Sequence, residues 1–187
     1  MSAATPSPAP PLAVVVMGVS GTGKSTIAML LAEALEIDFV EGDSHHPDAN
    51  IAKMSAGESL TDDDRWPWLR RLAEIAGDSL EQGRSVVLTC SALKRSYRDV
   101  LRAGVPEGRM VLVHLHADTD VLTERMTQRT KHFMPPSLLV SQLDTLEPLG
   151  DEERGVLVDV APPVSDVAAA ALEALAPAFG LSPDEVS

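Results

Sequence analysis

Gly18-Val19-Ser20-Gly21-Thr22-Gly23-Lys24-Ser25 is a complete G-x-x-x-x-G-K-[ST] run, and the chemistry of such a run is phosphate binding. Its glycines permit backbone angles that turn successive amide N–H groups inward around phosphate oxygens. Lys24 has the reach for the β- and γ-phosphates of ATP, and the Ser25 hydroxyl is a ligand for Mg²⁺. Thr26 closes the stretch, so nucleotide contacts are expected from Gly18 through Thr26. A glycine-rich turn matching by chance would not need a strand before it and a helix after it, and both are present here. The loop alone does not separate a kinase from an ATPase or a nucleotide-dependent regulator. A guanine-specific switch is disfavoured, because no N-K-x-D tetrapeptide occurs.

A second set of residues has the makings of an acceptor site. Glu41 and Asp43 are two apart at the end of an apolar run, so on a strand they project to one side. Asp43 is the candidate base for a hydroxyl proton, with Glu41 in the outer shell of the metal. Both also suit the bland role of capping the next helix. Of the adjacent His45 and His46, neither has a Cys partner nearby, and hydrogen bonding by His46 is expected rather than metal ligation. In Thr61-Asp62-Asp63-Asp64-Arg65-Trp66-Pro67-Trp68 the acids either balance a helix dipole or accept hydrogen bonds from a polyhydroxylated acid whose carboxylate pairs with Arg65. Lys94 and Arg98 are four apart, as are Arg125 and Arg129. The first pair suits an acceptor anion, the second the transferring phosphate, and either pair also suits a solvated helix face.

The elements that must position these groups can be read from hydrophobic spacing. Short apolar runs at Leu12–Met17, Ile37–Val40, Val86–Cys90, Met110–Leu115 and Val156–Val160 read as strands buried on both faces. Helices are expected at Lys24–Leu35, from Pro67 as first residue through Leu80, after Asp118, and at Val164–Leu175. Strands alternating with helices imply a parallel sheet covered on both sides. Ligands in such sheets bind at the carboxyl ends of the strands, where Glu41 and Asp43 fall. Prolines 6, 8, 10 and 11 among small residues mark 1–11 as a disordered tail. One domain is expected over 12–187, with a lid at about 125–147.

Composition narrows the classes further. The chain has 187 residues and a net charge of −13, which argues against a broad nucleic-acid surface. An anionic small substrate remains compatible, since a few converging cations dominate a pocket locally. The single cysteine, Cys90, cannot form an internal disulfide and reads as a small buried strand residue. No apolar run approaches a membrane span and no signal-peptide pattern opens the chain, so no membrane partner and a cytoplasmic location are expected.

Together these residues strongly resemble the gluconokinase family. The likeness rests on Gly42-Asp43-Ser44-His45-His46-Pro47, Asn50 to Met54, Gly57 to Arg65, Trp68-Leu69, Cys90 to Lys94 with Tyr97-Arg98-Asp99, His132-Phe133-Met134, and Gln142 to Glu147. It spans about Leu12 to Leu175, and the block from Gly42 to Trp68 is its most specific part. The resemblance implies an α/β, three-layer α/β/α P-loop kinase fold like that of nucleoside monophosphate kinases, with a five-stranded parallel sheet and a helical lid. It implies ATP:D-gluconate 6-phosphotransferase activity with Mg²⁺, and commonly a homodimer. It also implies Lys24, Asp43 and Arg129 as catalytic residues, Arg125 and Arg129 on the nucleotide, and Ser25 with Glu41 at the metal. Asp43, His46, Lys53, Asp63, Arg65, Lys94, Arg98 and His132 would then contact substrate. Glu41 departs from relatives that carry Asp there, which leaves inner or outer metal shell open. A kinase for shikimate or a nucleotide, and a non-catalytic ATP-dependent regulator, are the competing readings.

Overall fold

Five apolar residues in a row need cover on both sides, and in β1 (Ala13–Met17) all five are buried. The computed structural model describes residues 9–128 and 136–182, with the backbone alone at 125–128 and 136–138. After β1 come α1 (Lys24–Ala34), β2 (Asp38–Val40), a 3₁₀ turn (Gly42–His45), α2 (Asp48–Ser55) and α3 (Asp62–Glu81). Then follow β3 (Val86–Thr89), α4 (Arg95–Ala103), β4 (Met110–His116), α5 (Thr119–Gln128), α6 (Pro136–Thr145), β5 (Gly155–Asp159) and α7 (Val164–Leu175). The strands pair in parallel in the order β2-β3-β1-β4-β5.

Side-chain alternation assigns the two faces. Val14, Val16, Val111 and Val113 pack against Ile27 and Leu31 of α1 and Ala171 and Leu175 of α7. Ala13, Val15, Leu88 and Leu112 point the other way, onto Trp68, Leu69 and Leu72 of α3 and Tyr97 and Leu101 of α4. Each fully buried side chain of this size contributes about 1.5–3 kcal/mol. The expected three-layer arrangement is borne out. A satellite cluster of Val19, Leu93, Leu122 and Leu139 seats α5 and α6 beside the phosphate loop.

One boundary departs clearly from the sequence reading. Pro67 is the sixth residue of α3 and not its first. A capping box sets the start instead: Asp64 N–H donates to Thr61 Oγ1 (3.3 Å), and Thr61 N–H donates to the Asp64 carboxylate (2.8 Å). The amide that proline lacks would have bonded the carbonyl of Asp63, an exposed residue that water can serve. The strand and other helix limits agree with expectation to within a residue or so. The expected tail falls, for residues 1–8, outside the described residues. No helix among the described residues is long and apolar enough to cross a membrane.

Candidate active site

The loop from Gly18 to Lys24 joins the end of β1 to the first turn of α1, so its amides and the positive end of the helix dipole share one spot. Gly18 sits at φ +138°, and a Cβ there would come within 2.4 Å of the Leu115 carbonyl oxygen. Only glycine lets the loop lie this close to β4. Thr22 Oγ1 donates to the Val19 carbonyl (2.9 Å), and Lys24 Nζ reaches the same oxygen (3.1 Å). The loop is thus folded around its own carbonyl, with Ser25 exposed at the start of α1.

At the end of β2 the backbone is pressed against β3. A Cβ on Gly42 would sit 1.8 Å from the Thr89 carbonyl oxygen, so position 42 must lack one. Gly42 N–H donates to Thr89 Oγ1 (2.9 Å), and Trp68 Nε1 donates to the Gly42 carbonyl (2.8 Å). Thr89 in turn donates its hydroxyl proton to the Glu41 carboxylate. These bonds fix the 3₁₀ turn on which Asp43 stands, while its own side chain stays 77% exposed. Glu41 and Asp43 lie beyond Val40, the last residue of β2, so the strand alternation expected to aim them to one side does not apply.

His46 stacks on Trp68 with ring centroids 4.0 Å apart and an interplanar angle of 18°. Asn50 Nδ2 lies 3.3 Å from His46 Nδ1 and donates to the Asp64 carbonyl at 2.8 Å. An amide nitrogen has only hydrogens to offer, so Nδ1 accepts and the ring proton sits on Nε2, 3.9 Å from Asp43 Oδ1. Burial lowers the His46 pKa, the Asp43 charge works against that, and Arg65 adds to it. A neutral ring with its N–H toward Asp43 results.

An open cleft lies between these pieces, lined by Ser20, Lys24, Asp43, His46, Arg65 and Ser91, with Met54, Glu58, Ser59, Leu60, Trp68, Ser141, Gln142 and Thr145. Arg65 is braced there by donating to the Leu60 carbonyl and to Tyr97 Oη. Lys24, Asp43, His46 and Arg65 all line this cleft, and Ser20 joins them from the phosphate loop.

Four expectations are not met in this way. Arg98 is wholly buried, with Nε and one Nη on Glu153 (2.7 and 2.8 Å) and further bonds to the carbonyls of Ala92, Leu93, Glu147 and Pro148. It holds the chain together and cannot meet a substrate anion. Burial raises the Glu153 pKa, but hydrogen bonds from Arg98, Gly150 N–H and Arg102 outweigh this and leave it at about 2. Lys94 precedes α4 and spends its ammonium on Asp62 (2.8 Å), and Lys53 spends its own on Asp64 (2.7 Å). Neither lines the cleft, nor does Asp63, which is exposed on the first turn of α3. Of the three acids, Asp62 pairs with Lys94, and Asp64 both caps the helix and pairs with Lys53. Arg129 and His132, and the side chain of Arg125, lie outside the described residues.

Sequence reasoning passed over Glu58, Ser59, Ser91 and Gln142, all on the cleft wall. They sit inside the blocks that carry the family likeness, but nothing in their spacing assigns them chemistry. Ala92 is a further surprise: it adopts φ +45°, a left-handed angle that costs a non-glycine residue about 1 kcal/mol. Arg98 holds its carbonyl in place (3.2 Å). Cys90 is buried as expected, which pushes its thiol up to about 12 and leaves it inert.

The oxygen donors fit Mg²⁺. A hydroxyl at the loop's end and a carboxylate at the end of β2 are hard ligands, and this ion keeps several of its waters. Ser25 would ligate it directly, with Glu41 holding a water because Thr89 engages its carboxylate.

Comparison with known proteins agrees with this geometry. Residues 14–149 match a family model described as an AAA domain. A gluconokinase from Gluconobacter oxydans is 51% identical over 148 residues, covering 79% of this chain and 82% of that protein. The crystal structure of a gluconokinase from Sinorhizobium meliloti superposes with a TM-score of 0.82 at 50% identity, covering 93% of this chain and 96% of that one. An unliganded sugar kinase from Janibacter sp. gives 0.84 at 45% identity, over 95% and 99%. With the phosphate loop, the acceptor cleft and likeness of this extent in agreement, the chain belongs to the gluconokinase family.

Proposed function

We propose that the protein transfers the γ-phosphoryl group of ATP to the 6-hydroxyl of D-gluconate, giving 6-phospho-D-gluconate and ADP. The observation that carries this reading is one cleft holding the phosphate-loop Lys24, the carboxylate of Asp43 and the guanidinium of Arg65. Lys24 and the loop amides bind the phosphates and offset charge as it shifts toward the leaving oxygen. The gluconate O6 forms its bond to the γ-phosphorus as the bond to the β-phosphate bridge breaks, and its proton passes to Asp43. Mg²⁺ supplies charge neutralisation between the phosphates when bound.

Arg65 is the partner we assign to the gluconate carboxylate, since its planar fork matches that group and it lines the cleft. His46, neutral and donating from Nε2, is suited to a hydroxyl of the acceptor or to Asp43 itself. The homodimer expected of the family belongs to the same reading, and sedimentation equilibrium tests it. Regiochemistry tests the reaction. Protein, Mg·ATP and D-gluconate should give one phosphomonoester by phosphorus NMR, coupled to the C6 protons. Ester formation at another carbon, or orthophosphate alone, overturns the assignment.

A further inference from the structure

Asn50 on α2 is a polar side chain buried to 3% exposure, and its amide nitrogen faces two acceptors. Nδ2 lies 2.8 Å from the Asp64 carbonyl oxygen and 3.3 Å from His46 Nδ1. The carbonyl decides which way round the amide stands, because the amide oxygen in that place would set two acceptors against each other. One hydrogen of the NH₂ group therefore serves Asp64, and the other is aimed at the lone pair of Nδ1. A proton on Nδ1 would meet that hydrogen head-on, which disfavours both the Nδ1–H tautomer and the imidazolium. Stacking on Trp68 fixes the plane of the ring, and Trp68 is itself held by its bond to the Gly42 carbonyl. The charged groups that act on the ring are Asp43 from the 3₁₀ turn and Arg65 from α3, with opposite effects. What remains is an Nε2–H, 3.9 Å from Oδ1 of an exposed Asp43 side chain that closes the gap by rotating.

We propose that Asn50 is a positioning residue for the catalytic base: it holds His46 as the neutral Nε2–H tautomer, and that N–H steadies the Asp43 carboxylate. An imidazolium in the same place would pair with Asp43 as a full charge and weaken it as a proton acceptor. A neutral donor orients the carboxylate and leaves more of its basicity. The tautomer half of this inference needs only the bonds around Asn50, whereas the kinetic half rests on the kinase reading above.

The test is nitrogen-15 NMR of the imidazole rings of the full-length protein at pH 7, with His46→Gln supplying the assignment, followed by steady-state kinetics with gluconate. The wild-type His46 ring should show a pyridine-like Nδ1 and a pyrrole-like Nε2. Asn50→Leu keeps the volume and removes the donor, so the two shifts should move toward each other as the tautomers mix. Its kcat should fall about three- to tenfold, the worth of one hydrogen bond. Its KM for gluconate and its affinity for a non-hydrolysable ATP analogue should stay within about twofold, since neither contact is touched. Asn50→Asp turns a carboxylate oxygen to Nδ1, so Nδ1 should become pyrrole-like and kcat should fall further; it serves if leucine impairs folding. A merely structural role would weaken folding and both affinities together and leave the tautomer of the folded protein as it was. A pyrrole-like Nδ1 in the wild type, or a ring spectrum unchanged in both variants, overturns the proposal. A changed ring with unchanged kcat overturns its kinetic half. A wild-type protein without gluconate turnover would remove the kinetic half along with the kinase reading, and the ring spectrum, taken without substrate, would show that failure to be separate.

Discussion

Asp43 and Arg65 line one cleft yet should fail differently when replaced. Asp43→Asn keeps the shape and removes the proton acceptor, so kcat should fall by about 10²- to 10⁴-fold. Nucleotide affinity should stay within about threefold, because the loop amides and Lys24 are untouched. Rapid-quench kinetics beside an ATP-analogue titration separates the two, and near-normal kcat would remove Asp43 as the base. Arg65→Ala instead removes a charge-assisted contact, so the KM for gluconate should rise about tenfold to a hundredfold. The phosphate loop was legible because its chemistry is contiguous: eight adjacent residues state both the fold context and the ligand. Arg98 was not legible. Its spacing from Lys94 suggested a shared face, but its partner Glu153 lies 55 positions along the chain, and pairing over that distance leaves no local pattern.

At the scale of elements, Arg98 and Glu153 fasten α4 to the segment that leads from α6 into β5. Arg98→Ala would leave the Glu153 carboxylate buried without its main partner, and such losses cost about 3–5 kcal/mol. Urea denaturation should show that drop, while Arg98→Lys should recover only part of it, having no planar fork. A stability change below about 1 kcal/mol would contradict the structural role given to this pair. The sheet was readable from sequence because buried parallel strands are unbroken apolar runs, as Ala13–Met17 shows. The start of α3 was misplaced because proline at a first position is a strong local signal, whereas the Thr61–Asp64 box that overrides it is seen only when both bonds are in view. The cleft wall supplied by α6 was hidden for a related reason. Seating Gln142 on Ser20 takes a contact across 122 positions.

For the molecule as a whole, acid stability should follow two groups that the fold holds away from their ordinary ionisation. His114 on β4 is buried, its ring nitrogens are without a hydrogen-bond partner among the described residues, and its pKa is lowered to about 4. Burial is the main cause, with His116 and Arg98 adding repulsion. The unfolded chain thus binds a proton more readily than the folded one between about pH 6.5 and 4, and stability falls as pH drops through that window. The loss should be on the order of 3 kcal/mol, and His114→Leu should flatten it in urea titrations run across this range. Glu153, held at about 2, extends the loss from about pH 4.5 downward, because its folded form resists a proton that the unfolded form accepts. A wild-type stability that stays level from pH 6.5 to 4 would contradict the account of His114. The central claim concerns catalysis, and its most direct test is ADP release from Mg·ATP by the purified protein, with and without D-gluconate, with shikimate and ribose as controls. The account predicts release that depends on gluconate and matches 6-phosphogluconate mole for mole. Nucleotide binding without gluconate-dependent release, or equal release with shikimate, would contradict it.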